Sequence, residues 1–180
     1  VLDWALYVGP MFGIGGLVFL LVFALNKDEW WALIPGFVLI GIGINIFMGQ
    51  YMATISNRWG GAVFLGSIAL AFILIYVSHY ENWWAIIPGG VLLTLAGVTL
   101  VPRNGVLSGG VFFLGLALTF TLVYVLPKPA GKLNWALYPA GILLLIAIFV
   151  ILGATNLMNY ILPLGLLIAG AIVIYRSLRV

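Results

Sequence analysis

The chain has 180 residues, of which 65% are hydrophobic and 6% charged, and its mean hydropathy is +1.28. An ordinary soluble domain is about half apolar and about a quarter charged, so this chain cannot cover a soluble globule with polar surface; soluble enzymes, nucleic-acid binders and disordered chains are excluded. Seven Lys and Arg against four Asp and Glu leave a net charge of +3, too sparse for a nucleic-acid stripe, and with no cysteine there is neither disulfide nor thiolate chemistry.

A helix crosses the roughly 30 Å hydrocarbon core with about 20 apolar residues. Seven stretches qualify, at about 4–25, 30–48, 59–78, 83–101, 106–126, 135–153 and 158–175. The first opens at Trp4 behind Asp3. Lys27, Asp28 and Glu29 separate it from the second, which opens on Trp30-Trp31 and carries Pro35 and Asn45. Arg58 falls in the loop before the third span. His79 and Glu81 precede the fourth, which opens on Trp83-Trp84 and carries Pro88. Arg103 lies before the fifth span, and Lys128 and Lys132 before the sixth, which holds Trp135 and Pro139. Arg176 and Arg179 follow the seventh. Every ionisable Asp, Glu, Lys, Arg and His therefore lies outside these stretches. Backbone in lipid must bond to itself, and the alternation of a membrane barrel is missing, so the spans are read as helices. The expected fold is all-α: one integral membrane domain over residues 1–180, a polytopic bundle of about seven transmembrane helices.

The sequence repeats internally. Trp30-Trp31-Ala32-Leu33-Ile34-Pro35-Gly36 returns as Trp83-Trp84-Ala85-Ile86-Ile87-Pro88-Gly89, and more faintly as Asn134-Trp135-Ala136-Leu137-Tyr138-Pro139-Ala140-Gly141. Gly60-Gly61-Ala62-Val63-Phe64-Leu65-Gly66 matches Gly109-Gly110-Val111-Phe112-Phe113-Leu114-Gly115. The unit reads as a helical hairpin of roughly fifty residues, present three times, at about 30–78, 83–126 and 135–175, behind the first helix at about 4–25. Asp3, Asp28, Asn82 and Asn134 stand where a polar side chain caps a helix. Trp31, Trp84 and Trp135 stand at the depth where indole rings prefer the headgroup boundary. With the helix starting at Trp, Pro35, Pro88 and Pro139 lie past its first turn and predict a kink. A broken helix lining a transport site and a bent helix packing in a bundle both fit that pattern, and packing is the simpler use. The small pairs Gly9 and Gly13, Gly61 and Gly66, and Gly110 and Gly115 suit close helix approach.

Chemistry is sparse. An enzyme needs converging acids, bases, nucleophiles or a metal, and no such constellation is present, so the chain is read as no enzyme. His79 with Glu81 is too little for an ordinary metal site. Asn45 is the most polar residue inside a span, with Ser67, Thr94, Thr99, Thr119 and Thr121 behind it. Asn45 is read as a pore or ligand contact, or as one interhelical hydrogen bond. No cofactor is expected, although an apolar groove of this composition can hold lipid, quinone or carotenoid. Lys and Arg number two on the side of Arg58 and Arg103 and five on the other, which places the C-terminus in the cytoplasm by the positive-inside rule.

The Trp-Trp-x-x-x-Pro-Gly helices, together with the Ile148–Ile174 hairpin and its Leu-Gly-Ala-Thr-Asn-Leu turn, resemble small bacterial multi-pass membrane proteins, including the transmembrane part of LiaI/LiaF-type envelope proteins. The resemblance implies a non-catalytic bundle in the bacterial cytoplasmic membrane. The expected function is a scaffold or accessory subunit of a larger membrane complex, respiratory or photosynthetic in kind. Its partners are then membrane lipids and other integral subunits or further copies of itself, not nucleic acid. The alternative is a passive transporter or channel for a small neutral solute, built on the kinked helices and lined by Asn45 and the threonines.

Overall fold

The computed structural model describes residues 4–101, 105–127, 131, 133–154 and 158–177. Among them the chain is helical throughout, without strands. Its α-helices are α1 (Trp4–Leu25), α2 (Leu33–Tyr51), α3 (Ala53–Ser78), α4 (Ile86–Leu100), α5 (Gly105–Val125), α6 (Leu137–Ala154) and α7 (Met158–Ser177). Six helical segments, from the one ending at Leu25 to the one ending at Gly153, are long and apolar enough to cross a membrane. The apolar residues cover every side of each helix rather than one stripe, as expected where the solvent is lipid. Asp3, Arg103, Lys128, Lys132 and Arg179, on which the expected orientation partly rests, and Thr155–Leu157 of the last turn lie outside the described residues.

The boundaries depart from expectation at two places. Helix α3 begins at Ala53, with only Met52 between it and α2. Arg58 is therefore in the second turn of a helix and not in a loop. The exposed start of α3, with Ser56, Asn57 and Arg58, is too polar for a hydropathy threshold, yet its backbone bonds close normally from Ser56 to Met52. The second departure concerns the Trp-Trp motif. Trp30–Ala32, Tyr80–Ala85 and Asn134–Ala136 form 3-10 turns, and the α-helices begin only afterwards, at Leu33, Ile86 and Leu137. Pro35, Pro88 and Pro139 are thus third residues of their α-helices. An N–H is not needed in the first turn, so proline fits there without loss. The irregularity expected beyond the proline is instead the switch from 3-10 to α geometry just before it.

The substantial helix contacts among the described residues join consecutive helices, from α1 on α2 through to α5 on α6. On α3, Gly60, Phe64 and Ser67 meet α2 while Ala69 and Ile73 meet α4; at 100° per residue these two sets fall on opposite sides of the helix. Helices α1 to α6 therefore stand side by side in a single antiparallel row. At most 28% of the residues in any span are buried.

Two kinds of seam alternate along the row. In α1–α2, α3–α4 and α5–α6, small residues stand seven apart on both helices: Gly9 and Gly16 with Gly36 and Gly43, Ala62 and Ala69 with Gly89 and Ala96, Gly110 and Ala117 with Ala140 and Ala147. All of them are buried except the half-buried Ala62. A seven-residue repeat keeps one seam facing its partner along the whole contact. Without Cβ atoms the backbones come very close: a methyl on Gly16 would stand 2.7 Å from the Gly36 carbonyl oxygen, and one on Gly43 2.9 Å from that of Gly9. Such contact matters in lipid, where packing Leu against Leu gains little over lipid tails. The sequence pairing at 30–78, 83–126 and 135–175 takes the other set of neighbours, and the small-residue seams are displaced from it by one helix.

A compact core forms at the Trp end of the row, from Leu33, Ala71, Ile75, Tyr76, Ala85, Ile86, Val123 and Ala136. Tyr76 fastens it: its hydroxyl donates to the Pro127 carbonyl at 2.7 Å, tying α3 to the chain beyond α5. Tyr76→Phe is expected to lower stability by about 1 kcal/mol, the net worth of one such bond. Unfolding of both proteins in mixed micelles checks it, and equal stabilities would show that the bond contributes nothing.

Candidate functional site

The polar side chains within the spans sit on seams. Asn45, Ser67, Thr94, Thr99, Thr119 and Thr121 each donate to a carbonyl of their own helix. Asn45 Nδ2 bonds Gly41 at 3.0 Å, Thr94 Oγ1 bonds Gly90 at 2.8 Å, and Thr119 Oγ1 bonds Gly115 at 2.9 Å. Ser67, Thr99 and Thr121 bond Phe64, Ala96 and Ala117 in the same way. This local bonding satisfies a hydroxyl in lipid without a second helix. Five of the six meet glycine across the seam. Thr94 lies against Gly115 and Thr119 against Gly90, reciprocally, between α4 and α5. Ser67 lies against Gly41 and Asn45 against Gly60, between α2 and α3. Thr99 touches Gly61 on the α3–α4 seam, and Thr121 lines the α5–α6 seam. The structure therefore distributes these groups over four seams rather than gathering them round one lumen.

Recesses open between neighbouring helices. An apolar groove of about 410 Å³ between α1 and α2 is floored by Gly9, Gly13 and Gly43 and flanked by Ile40, Ile44, Phe47 and Tyr51. A smaller one, about 290 Å³, lies between α5 and α6. Another, about 420 Å³, is a wide cleft at the α2–α3 seam lined by Ile42, Asn45, Ile46, Gly60, Gly61 and Phe64. Asn45 is half-buried there. Its Oδ1 accepts no hydrogen bond among the described residues and rests against Gly60.

Each predicted Trp has a defined neighbour. Trp31, Trp84 and Trp135 are met edge-on by Phe19, Phe72 and Phe120, all at 6.2 Å between ring centroids with interplanar angles of 76°, 78° and 73°. Trp30 adds a further edge contact to Trp84 at 5.6 Å, joining neighbouring motifs. Such pairs are worth about 0.5–1.5 kcal/mol beyond area burial. The three Trp remain part-exposed at one end of the row, as residues of a membrane boundary do.

The capping expectation is corrected here. None of the 3-10 turns has a side-chain cap bond at its N-cap. The Trp31 indole N–H donates to Glu29 Oε2, and the Trp84 indole N–H donates to Asn82 Oδ1 at 3.3 Å. Asn134 lies inside its turn rather than before it. Side chains two residues ahead of the ring are within reach of the indole nitrogen, so they orient Trp instead of capping backbone. Asp3 lies outside the described residues.

His79 and Glu81 do not form a metal site among the described residues. His79 Nε2 is 3.9 Å from Asp28 Oδ1, a contact between the first and third connections. Lys27 lies over the Phe23 ring at 4.2 Å. These charges gather at the Trp end of the row. Sequence reasoning missed the seven-residue small-residue ladders and the Phe partners of the Trp motif. Their signals, Gly or Ala at i and i+7 and Phe about one helical hairpin turn ahead of each Trp, were present in the chain. They become readable only once the helix pairing is known. Comparison with protein-family models, with curated proteins and with solved structures finds no match.

Proposed function

We propose that this chain is a non-catalytic integral membrane protein, a scaffold or accessory subunit that works by packing its helices against a larger membrane complex. We place it in the bacterial cytoplasmic membrane with its C-terminus cytoplasmic. One observation carries the reading: the spans form a single row whose contacts run between consecutive helices, so large apolar side chains are left uncovered on most helices. Connections are short, with α2 and α3 joined through Met52 alone. A row of this kind offers long helical faces to other subunits and little outside the membrane. The dispersal of Asn45 and the threonines over separate seams supports a packing role for them more than a shared solute path.

Purification from native membranes in mild detergent, with mass spectrometry and an absorption spectrum on the same peak, tests the proposal. Stoichiometric co-elution of other membrane subunits is the expected result. A peak containing this chain alone, with solute flux in liposomes that Asn45→Leu abolishes, would overturn it in favour of a passive channel.

A further inference from the structure

We infer that the third Trp motif is a binding point for the phosphate of an anionic phospholipid, held by the indole N–H of Trp135. The inference needs only that the chain lies in a membrane, and it is independent of the accessory role. The three motifs build one frame. In each, the Trp is followed by a fully buried alanine, Ala32, Ala85 or Ala136. Each ring meets a Phe edge-on at 6.2 Å, with interplanar angles of 76°, 78° and 73°, so the three indoles are set alike. In the first two motifs the residue two places ahead accepts the indole proton, Glu29 for Trp31 and Asn82 for Trp84. In the third motif that place is Leu133, whose side chain has no acceptor. Trp135 is 45% exposed, and among the described residues its indole N–H has no hydrogen-bond partner.

An indole nitrogen only donates. Where the protein supplies no acceptor, the surroundings must, and at a span end these are water and lipid headgroups. Of their oxygens, an ionised phosphate makes the strongest bond. In the first motif the indole already meets an anionic oxygen, that of Glu29. The charge of the connections selects an anion at the third motif and not at the other two. The stretch 26–29 carries one Lys against two acids, and 79–82 carries one acid beside His79. The stretch 126–133 carries Lys128 and Lys132 and no acid. Both lysines lie outside the described residues, so they enter here only as net charge close to the indole. Lys132 is three residues from Trp135 along the chain, which keeps its backbone within about 11 Å in any conformation. Basic residues beside a span attract anionic lipid, whereas the carboxylates of Glu29 and Glu81 repel the same phosphate from the first two motifs.

The test uses the full chain in nanodiscs of phosphatidylcholine, alone or mixed with phosphatidylglycerol. NMR reads the indole N–H resonances, each assigned by a single Trp→Phe variant. Phosphatidylglycerol should move the Trp135 resonance downfield and leave those of Trp31 and Trp84 in place. Inorganic phosphate added to the phosphatidylcholine discs should not reproduce the shift. In native mass spectrometry from the mixed discs, Trp135→Phe should weaken retention of the tightest-bound phosphatidylglycerol about fivefold, equivalent to about 1 kcal/mol for one hydrogen bond. A Phe ring at this place keeps the edge contact with Phe120, so the variant loses the donor and little else. Leu133→Asn is an independent arm. It gives Trp135 the acceptor that Asn82 gives Trp84, and the same loss of retention is expected with the indole still present.

A Trp135 resonance indifferent to phosphatidylglycerol would overturn the inference, as would equal shifts at Trp31 and Trp84 or a shift that inorganic phosphate reproduces. So would retention unchanged in both Trp135→Phe and Leu133→Asn. A Trp135 resonance that moves only in the presence of a co-purifying subunit would assign the donor to a protein partner, sinking this inference and leaving the accessory role standing. A lipid-dependent Trp135 shift in a chain that purifies with no other subunit would do the reverse.

Discussion

Gly16→Val drives α1 away from α2 and lowers stability by about 3 kcal/mol, at the upper end of the usual overpacking range. The first added carbon already stands 2.7 Å from the Gly36 carbonyl oxygen, 2.7 Å from Ile40 Cγ1 and 3.0 Å from the Ile40 nitrogen. Two of these neighbours are backbone atoms, which no rotamer change can clear. The helices must separate, and the opposite contact at Gly9 and Gly43 separates with them. Gly13, in the same helix, has nothing within 4 Å of an added Cβ. Gly13→Ala is therefore expected to hold or raise stability, by up to about 1 kcal/mol from helix propensity. Unfolding of both variants in mixed micelles measures the contrast. If they behave alike, the close seam is not what holds α1 to the row.

Gly115→Ala is the second large effect. Its new methyl would overlap Thr94, including the stiff branch point at 2.8 Å. Rotation about χ1 does not move Cβ, so neither of the two rotamers open to a helical threonine relieves that contact, and Thr94 Oγ1 is held by Gly90. A loss of about 2–3 kcal/mol is expected. Thr94→Gly removes the obstacle, so the double variant should be more stable than the sum of the single losses predicts. The expected coupling is about 1–3 kcal/mol, in the range of residues in direct contact. Additive losses in that cycle would mean that Gly115 and Thr94 do not share one seam. The seam matters for the proposed role because α4–α5 joins the later helices to the rest of the row.

Among the described residues the charged groups marked the first and third connections, at Lys27, Asp28 and Glu29 and at His79 and Glu81, whereas Arg58 lies inside α3 and Arg176 inside α7. A hydropathy threshold ends a span at the first polar cluster, whereas a helix ends only when its backbone bonds do, and those of α3 extend back to Ala53. The prolines were visible, but their consequence depended on where the α-helix starts. Three residues of 3-10 turn moved Pro35, Pro88 and Pro139 from a kink position to a harmless one. Asn45 stood out because an amide is rare in such a stretch. Its glycine neighbour across the seam, Gly60, and the orientation of its Oδ1 were not legible, since both depend on how α3 is rotated against α2.

Amino-acid order alone determined that the chain is helical and apolar enough to cross a membrane several times, because a hydrocarbon solvent leaves an unpaired backbone no other outlet. It also determined where the Trp, Pro and charged residues recur. Which helix faces which, and with which stripe, was decided only by the tertiary structure. Every side of these helices is apolar, so hydrophobic periodicity, the usual guide to a buried face, carries no signal here. The choice falls to small steric differences: a missing Cβ at Gly16 or Gly43, or a threonine opposite a glycine. Such differences have energetic meaning only once a second helix is there to meet them.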